Sequence, residues 1–176
     1  MKVFLHIVFA TILLLPISSC VTSSVTSSKS DKVHGPYKRI FVVVSNSERS
    51  EKFIHGFIET LHKEMLIRNT ESAYFVSGRL STDAREEINQ KISDFRPQAV
   101  LVIKQTAGLI YNGADIGTAS GFNGGEFDLR LFESSEQNMV WTAKMSAFGE
   151  YGISTAVRKA SYSLISKFVI DGIISQ

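Results

Sequence analysis

Between Tyr37 and Ile174 the hydrophobic positions change period in a regular order. Arg39-Ile40-Phe41-Val42-Val43-Val44 is a continuous apolar run rich in β-branched residues, the pattern of a strand buried on both faces of a parallel sheet. Ser45-Asn46-Ser47 follows with turn and cap chemistry. From Ser50 to Arg68 the period lengthens: Phe53, Ile54, Phe57, Ile58, Leu61 and Met65 recur at helical spacing and predict one buried face. Ala73-Tyr74-Phe75-Val76 predicts a second strand ended by Gly78. Ser81-Thr82-Asp83 caps a second helix whose stripe is Ala84, Ile88, Ile92 and Phe95, with Pro97 at its end. Ala99-Val100-Leu101-Val102-Ile103 predicts a third buried strand.

The period then shortens to two. Phe127, Leu129 and Leu131 alternate with Glu126, Asp128 and Arg130, and Trp141, Ala143 and Met145 alternate on a returning strand after the loop Ser134–Asn138. A last helix is predicted from Ile153 to Ile174, with Ile153, Val157, Ala160, Leu164, Phe168 and Ile173 inward. The expected order is β-α-β-α-β-β-β-α. This is an α/β domain with a mixed five-stranded sheet, strand order 2-1-3-4-5, and helices packed on it. Its first three strands are parallel through right-handed crossovers, and the third runs antiparallel to the fourth.

Composition narrows the function classes. Among 176 residues, 19 Lys+Arg against 17 Asp+Glu leave a net charge of +2. Removing residues 1–19 takes away Lys2 and no acid, leaving +1, too little to argue for nucleic acid as partner. A single cysteine excludes an internal disulfide framework and a multi-cysteine metal site.

That cysteine has a particular setting. Lys2 precedes an apolar run, Val3 to Ile17, that is short for a spanning helix and has Pro16 near its end. Ile17-Ser18-Ser19-Cys20 follows, and it resembles the lipobox of bacterial lipoproteins. The resemblance implies cleavage before Cys20 and lipid on its thiol, with two or three acyl chains. More than one chain is what stable anchoring requires. In that family an aspartate after the cysteine often retains the protein in the inner membrane. Val21 stands there, which favours the periplasmic face of the outer membrane over the outer face of the cytoplasmic membrane. The chain divides into a signal peptide (1–19), a lipidated cysteine with a Ser/Thr-rich tether (20–36) and one α/β domain (37–176). Seven of the twelve residues 21–32 are Ser or Thr, so this tether is expected to be a solvated flexible linker holding the domain roughly 20–25 Å from the lipid.

The strand after Pro97, the hairpin Glu126–Lys144 and the closing helix resemble a group of envelope proteins. The group comprises small bacterial lipoproteins, the curli-secretion lipoprotein and the N-terminal domain of the periplasmic Tol propeller protein. The resemblance implies an anticodon-binding-like core and roles in binding, assembly or secretion.

Candidate chemistry is sparse. His55, Glu59 and His62 share one face of the first helix and are the weak metal candidates, though a closed zinc site needs a ligand from elsewhere. The glycine-rich stretch Gly108–Gly125 holds six of the twelve glycines, but a strand and no Lys-Ser/Thr follows, which rejects a phosphate loop. It is too short for a membrane-spanning hairpin. It reads as a plain connection, or as a contact loop using Tyr111, Ile116 and Phe122. No catalytic triad is visible: Ser120 lacks the nucleophile-elbow glycines, Cys20 carries lipid and His34 lies in the tether. Trp141 reads as packing. No cofactor is expected. The function expected is a non-catalytic, membrane-anchored binding or assembly module with an envelope protein partner and possible oligomerisation. The alternatives are a subunit of an outer-membrane secretion or assembly complex, or a metal-dependent hydrolase.

Overall fold

The computed structural model describes residues 23–46, 50–78, 82–110, 122–148 and 152–176. Its strands are β1 (Ser23–Lys29), β2 (Arg39–Ser45), β3 (Glu71–Ser77), β4 (Ala99–Ile110), β5 (Phe122–Glu133) and β6 (Met139–Phe148). Its helices are α1 (Glu51–Ile67), α2 (Thr82–Phe95) and α3 (Ile153–Ile170). One mixed sheet of six strands runs in the order β1-β6-β5-β4-β2-β3. The α/β class agrees with the sequence. The five-stranded sheet does not: a sixth strand, β1, is added at one edge, beyond β6, and changes the order.

That strand comes from the stretch expected to be a flexible tether. Ser23–Lys29 pairs antiparallel with β6 from Ser23 opposite Ala147 to Lys29 opposite Trp141. Its only apolar side chain, Val25, packs against the core, so backbone pairing rather than an apolar stripe holds it. The last helix is also shorter than expected. Gly172 takes φ +73°, its N–H donates to the Val169 carbonyl, and the Ile173 N–H donates back to Phe168 O at 2.8 Å. This left-handed glycine with its paired back-bonds stops α3 at Ile170. Asn69, at φ 54°, ends α1 by the same device.

The two faces of the sheet are covered differently. Helices α1 and α3 pack on one face, where Phe53 stacks on Phe127 at 5.6 Å and Trp141 meets Phe168 edge-on at 5.1 Å. This main core joins Phe57, Leu61 and Met65 of α1 to Ile40, Leu101, Leu129 and Leu131 of the sheet and to Leu164 of α3. Among the described residues only α2 lies on the other face, where Ile88, Ile92 and Phe95 cover Phe41 and Val43 of β2 and Phe75 of β3. Double coverage explains why β2 reads as a continuous apolar run, whereas β5 and β6 alternate.

Candidate functional site

Beyond α2, the same face of β5, β6 and β1 carries no helix among the described residues. The register stacks its residues in rows across the strands. Thr26 lies opposite Lys144, Lys144 opposite Asp128, and Asp128 opposite Lys104. One row along, Ser28, Thr142 and Arg130 are aligned, and on the other side Ser24, Ser146 and Glu126. Ser24 and Ser146 hydroxyls bond at 2.8 Å. Strand alternation makes this face: residues 127, 129 and 131 turn into the core, so 126, 128 and 130 turn outward. Lys104, Glu126, Arg130 and Lys144 are exposed. A shallow depression of about 500 Å³ lies over Thr26, Asp128, Arg130 and Thr142. The face is hydroxyl-rich and carries three cations and two acids. It can form hydrogen bonds and ion pairs with a polar surface.

A second cluster fixes β1 and the crossing segment that follows it. Asp171, the residue immediately after α3, accepts from Ser27 Oγ at 2.5 Å and from Trp141 Nε1 at 2.7 Å. Lys167 stands 3.2 Å from its other oxygen, and Lys29 Nζ donates to its backbone carbonyl at 3.0 Å. Burial works to raise the Asp171 pKa and is the largest single influence. The hydrogen bonds from Ser27, Trp141 and Lys167, with the Lys167 charge, outweigh it and hold the carboxyl below its usual value. Residues 30–38 then cross the end of the sheet. His34 Nδ1 lies 3.0 Å from buried Glu133, and Tyr37 donates its hydroxyl to the same carboxylate at 3.2 Å. Burial, followed by the Glu133 charge, pushes the Tyr37 phenol up to about 12. Gly35 passes so close to Gly172 that a β-carbon there would overlap the Gly172 carbonyl oxygen.

The residues singled out in the sequence fare differently. His55 turns to Glu51 at 3.7 Å, His62 bonds Ser72 of β3 at 2.8 Å, and Glu59 is exposed. Among the described residues no group of three His, Cys, Asp or Glu side chains is placed to hold a metal ion. His55 and His62 thus turn to different neighbours although they share a helix face. Cys20, Tyr111 and Ile116 lie outside the described residues, as does the side chain of Phe122. His34 belongs to the folded unit rather than to a linker. The sequence did not single out Asp171; its signal was the Asp-Gly pair at the end of the helix. No helix among the described residues is long and apolar enough to cross a membrane.

Solved structures of similar fold are known. PelC from Paraburkholderia phytofirmans, crystallised as a dodecamer, matches with a TM-score of 0.57 in the form of a single-residue variant. Identity is 14%, over 88% of this chain and 100% of that one. A second PelC dodecamer crystal from the same organism gives a TM-score of 0.55 and 16% identity over the same shares. The likeness establishes the fold. No protein-family model and no curated protein matches the chain.

Proposed function

We propose that this chain is a lipid-anchored subunit of the bacterial envelope that works by binding and self-assembly rather than by catalysis, as part of an outer-membrane secretion or assembly complex. The observation that carries the reading is the shared fold over the whole length of PelC, whose crystals contain dodecamers. The resemblance of Ile17-Ser18-Ser19-Cys20 to a lipobox supports the anchor.

A closed ring of identical subunits needs a heterologous interface, in which one patch meets a different patch on the next copy. The sheet supplies such a pair. The open face of β5, β6 and β1 carries Lys104, Arg130 and Lys144 against Glu126 and Asp128. The exposed side of α2 carries Asp83, Glu86, Glu87 and Asp94 against Arg85 and Lys91. Seating α2 of the next copy on the open face would continue the helical layer and match acid to base. The mass of the full-length protein in detergent tests this. A single multimeric species that weakens with salt and is lost in Lys144→Glu supports the reading. A monomer at all concentrations overturns it. Lys144 is exposed, so its replacement should leave stability within about 0.5 kcal/mol.

A further inference from the structure

The sheet has two edges, β1 and β3, and β3 carries none of the usual guards against pairing. We propose that β3 pairs antiparallel with β3 of a second copy of this chain across a two-fold axis, joining two sheets into one. In the parallel pair with β2, the Glu71 N–H donates to the Lys38 carbonyl, and the Ser77 carbonyl accepts from the Asn46 N–H. Residues 71, 73, 75 and 77 therefore turn their backbone groups inward, and Ser72, Tyr74 and Val76 turn theirs outward. Among the described residues no strand lies beyond β3. Edge strands are normally guarded by lysine, proline or a bulge. The strand Glu71–Ser77 holds no lysine, arginine or proline, and it pairs with β2 without a register shift. Its middle is Tyr74-Phe75-Val76, residues that favour strands, and Tyr74 is 44% exposed.

The strand is complementary to itself. An antiparallel two-fold centred on Tyr74 sets Tyr74 against Tyr74 of the second copy, and Ser72 against its Val76. All three outward residues then fall in hydrogen-bonded pairs, which gives about six new backbone bonds. Ser72 and Val76 lie on the α1 face, where Ser72 meets His62 and Val76 packs on the main core. Tyr74 shares that face by alternation, so the two tyrosines become cross-strand aromatic neighbours. Ala73 and Phe75 lie on the α2 face. There Phe75 of each copy falls opposite Ala73 of the other, a large side chain beside a small one. Charge fits the same register. Glu71 is the only charged residue of the strand, and the two-fold sets it against Ser77. The two acids stay roughly 20 Å apart. The other edge is a poorer match: β1, Ser-Ser-Val-Thr-Ser-Ser-Lys, offers hydroxyls where Tyr74 and Phe75 need apolar neighbours. The contact is separate from the open face of β5, β6 and β1 and does not rest on its proposed role.

The test uses the full-length chain in detergent. Tyr74→Cys brings two thiols to a hydrogen-bonded pair whose α-carbons lie about 5.5 Å apart, within disulfide reach. Glu71→Cys leaves its two thiols roughly 20 Å apart. The parent chain, oxidised alongside, gives the background from Cys20. A disulfide dimer is expected in Tyr74→Cys at several times the yield in Glu71→Cys. Equal yields, or none above the parent, overturn the pairing. Mass in detergent gives a second reading. Lys144→Glu removes the contact proposed for the open face, so that chain should be a dimer. Adding Tyr74→Lys, a charge on the edge, should weaken the dimer at least tenfold. Val76→Pro deletes one outward N–H and should act in the same direction. A Lys144→Glu chain that is monomeric at all concentrations overturns the β3 pairing and leaves the open-face contact standing. A dimer that both β3 variants leave unchanged overturns it as well.

Discussion

Replacing Asp171 by alanine tests whether β1 is an integral part of the domain. Trp141 is 1% exposed, and its indole N–H reaches the Asp171 carboxylate at 2.7 Å. Without that acceptor the N–H meets neither water nor partner, at a cost of about 1–3 kcal/mol. Loss of the Ser27 bond adds roughly 0.5–1.5 kcal/mol. The Lys167 pair adds little, because the Lys167 side chain is still 27% exposed. The total is about 2–4 kcal/mol, and at roughly 2–4 °C per kcal/mol for a domain of this size the melting temperature should fall by about 5–15 °C. Far-UV circular dichroism follows the fold, and Trp141, the only tryptophan, reports the site by fluorescence. Hydrogen exchange at Ser23–Lys29 should accelerate more than exchange in β4. Asp171→Asn keeps one acceptor oxygen and should lose less. An alanine variant that melts within about 1 °C of the parent, with unchanged exchange in β1, would refute the reasoning.

Other outcomes follow from the same contacts. Because the Asp171 carboxyl is held below its ordinary 3.8, the unfolded chain binds more protons in acid. That stabilisation is complete above about pH 4 and is lost as pH falls through the folded value, and Asp171→Asn should flatten this limb of an acid-unfolding profile. Tyr37 has the opposite sign: its phenol is pushed up from 10.0 to about 12. Its contribution is therefore full below pH 10 and lost between 10 and 12, a loss that Tyr37→Phe should remove from an alkaline melt. Gly35→Ala should cost about 1–3 kcal/mol in urea unfolding, because the added methyl meets the Gly172 carbonyl. Gly172→Ala should cost about 1 kcal/mol or more, since φ +73° strains any residue with a β-carbon.

Much of the fold was legible in the sequence where burial is apolar. The runs in β2 and β4 and the stripe Phe53-Phe57-Leu61-Met65 record two-sided and one-sided burial directly, so those elements appear near their expected positions. Strand β1 was not legible, because Ser-Ser-Val-Thr-Ser-Ser-Lys carries one apolar side chain and composes like a linker. It is held by the ladder with β6 and by Asp171, and both are long-range. The early stop of α3 was signalled locally by Gly172, but the apolar residues Ile173 and Ile174 continue the pattern past it and hide the end. Both are buried after the chain has left the helix. The open sheet face was half legible. Alternation in β5 put Glu126, Asp128 and Arg130 on one side, but only the assembled sheet shows that α2 stops short of them and that Thr26 and Lys144 join the row.

The reading of an anchored module depends on lipid at Cys20. The intact mass of the full-length chain extracted from membranes with detergent tests it most directly. The account predicts a polypeptide of Cys20–Gln176 bearing two or three acyl chains, and a Cys20→Ser chain that keeps residues 1–19 and lacks that added mass. A membrane-extracted chain that begins at Met1, or one that begins at Cys20 with no lipid, would contradict it.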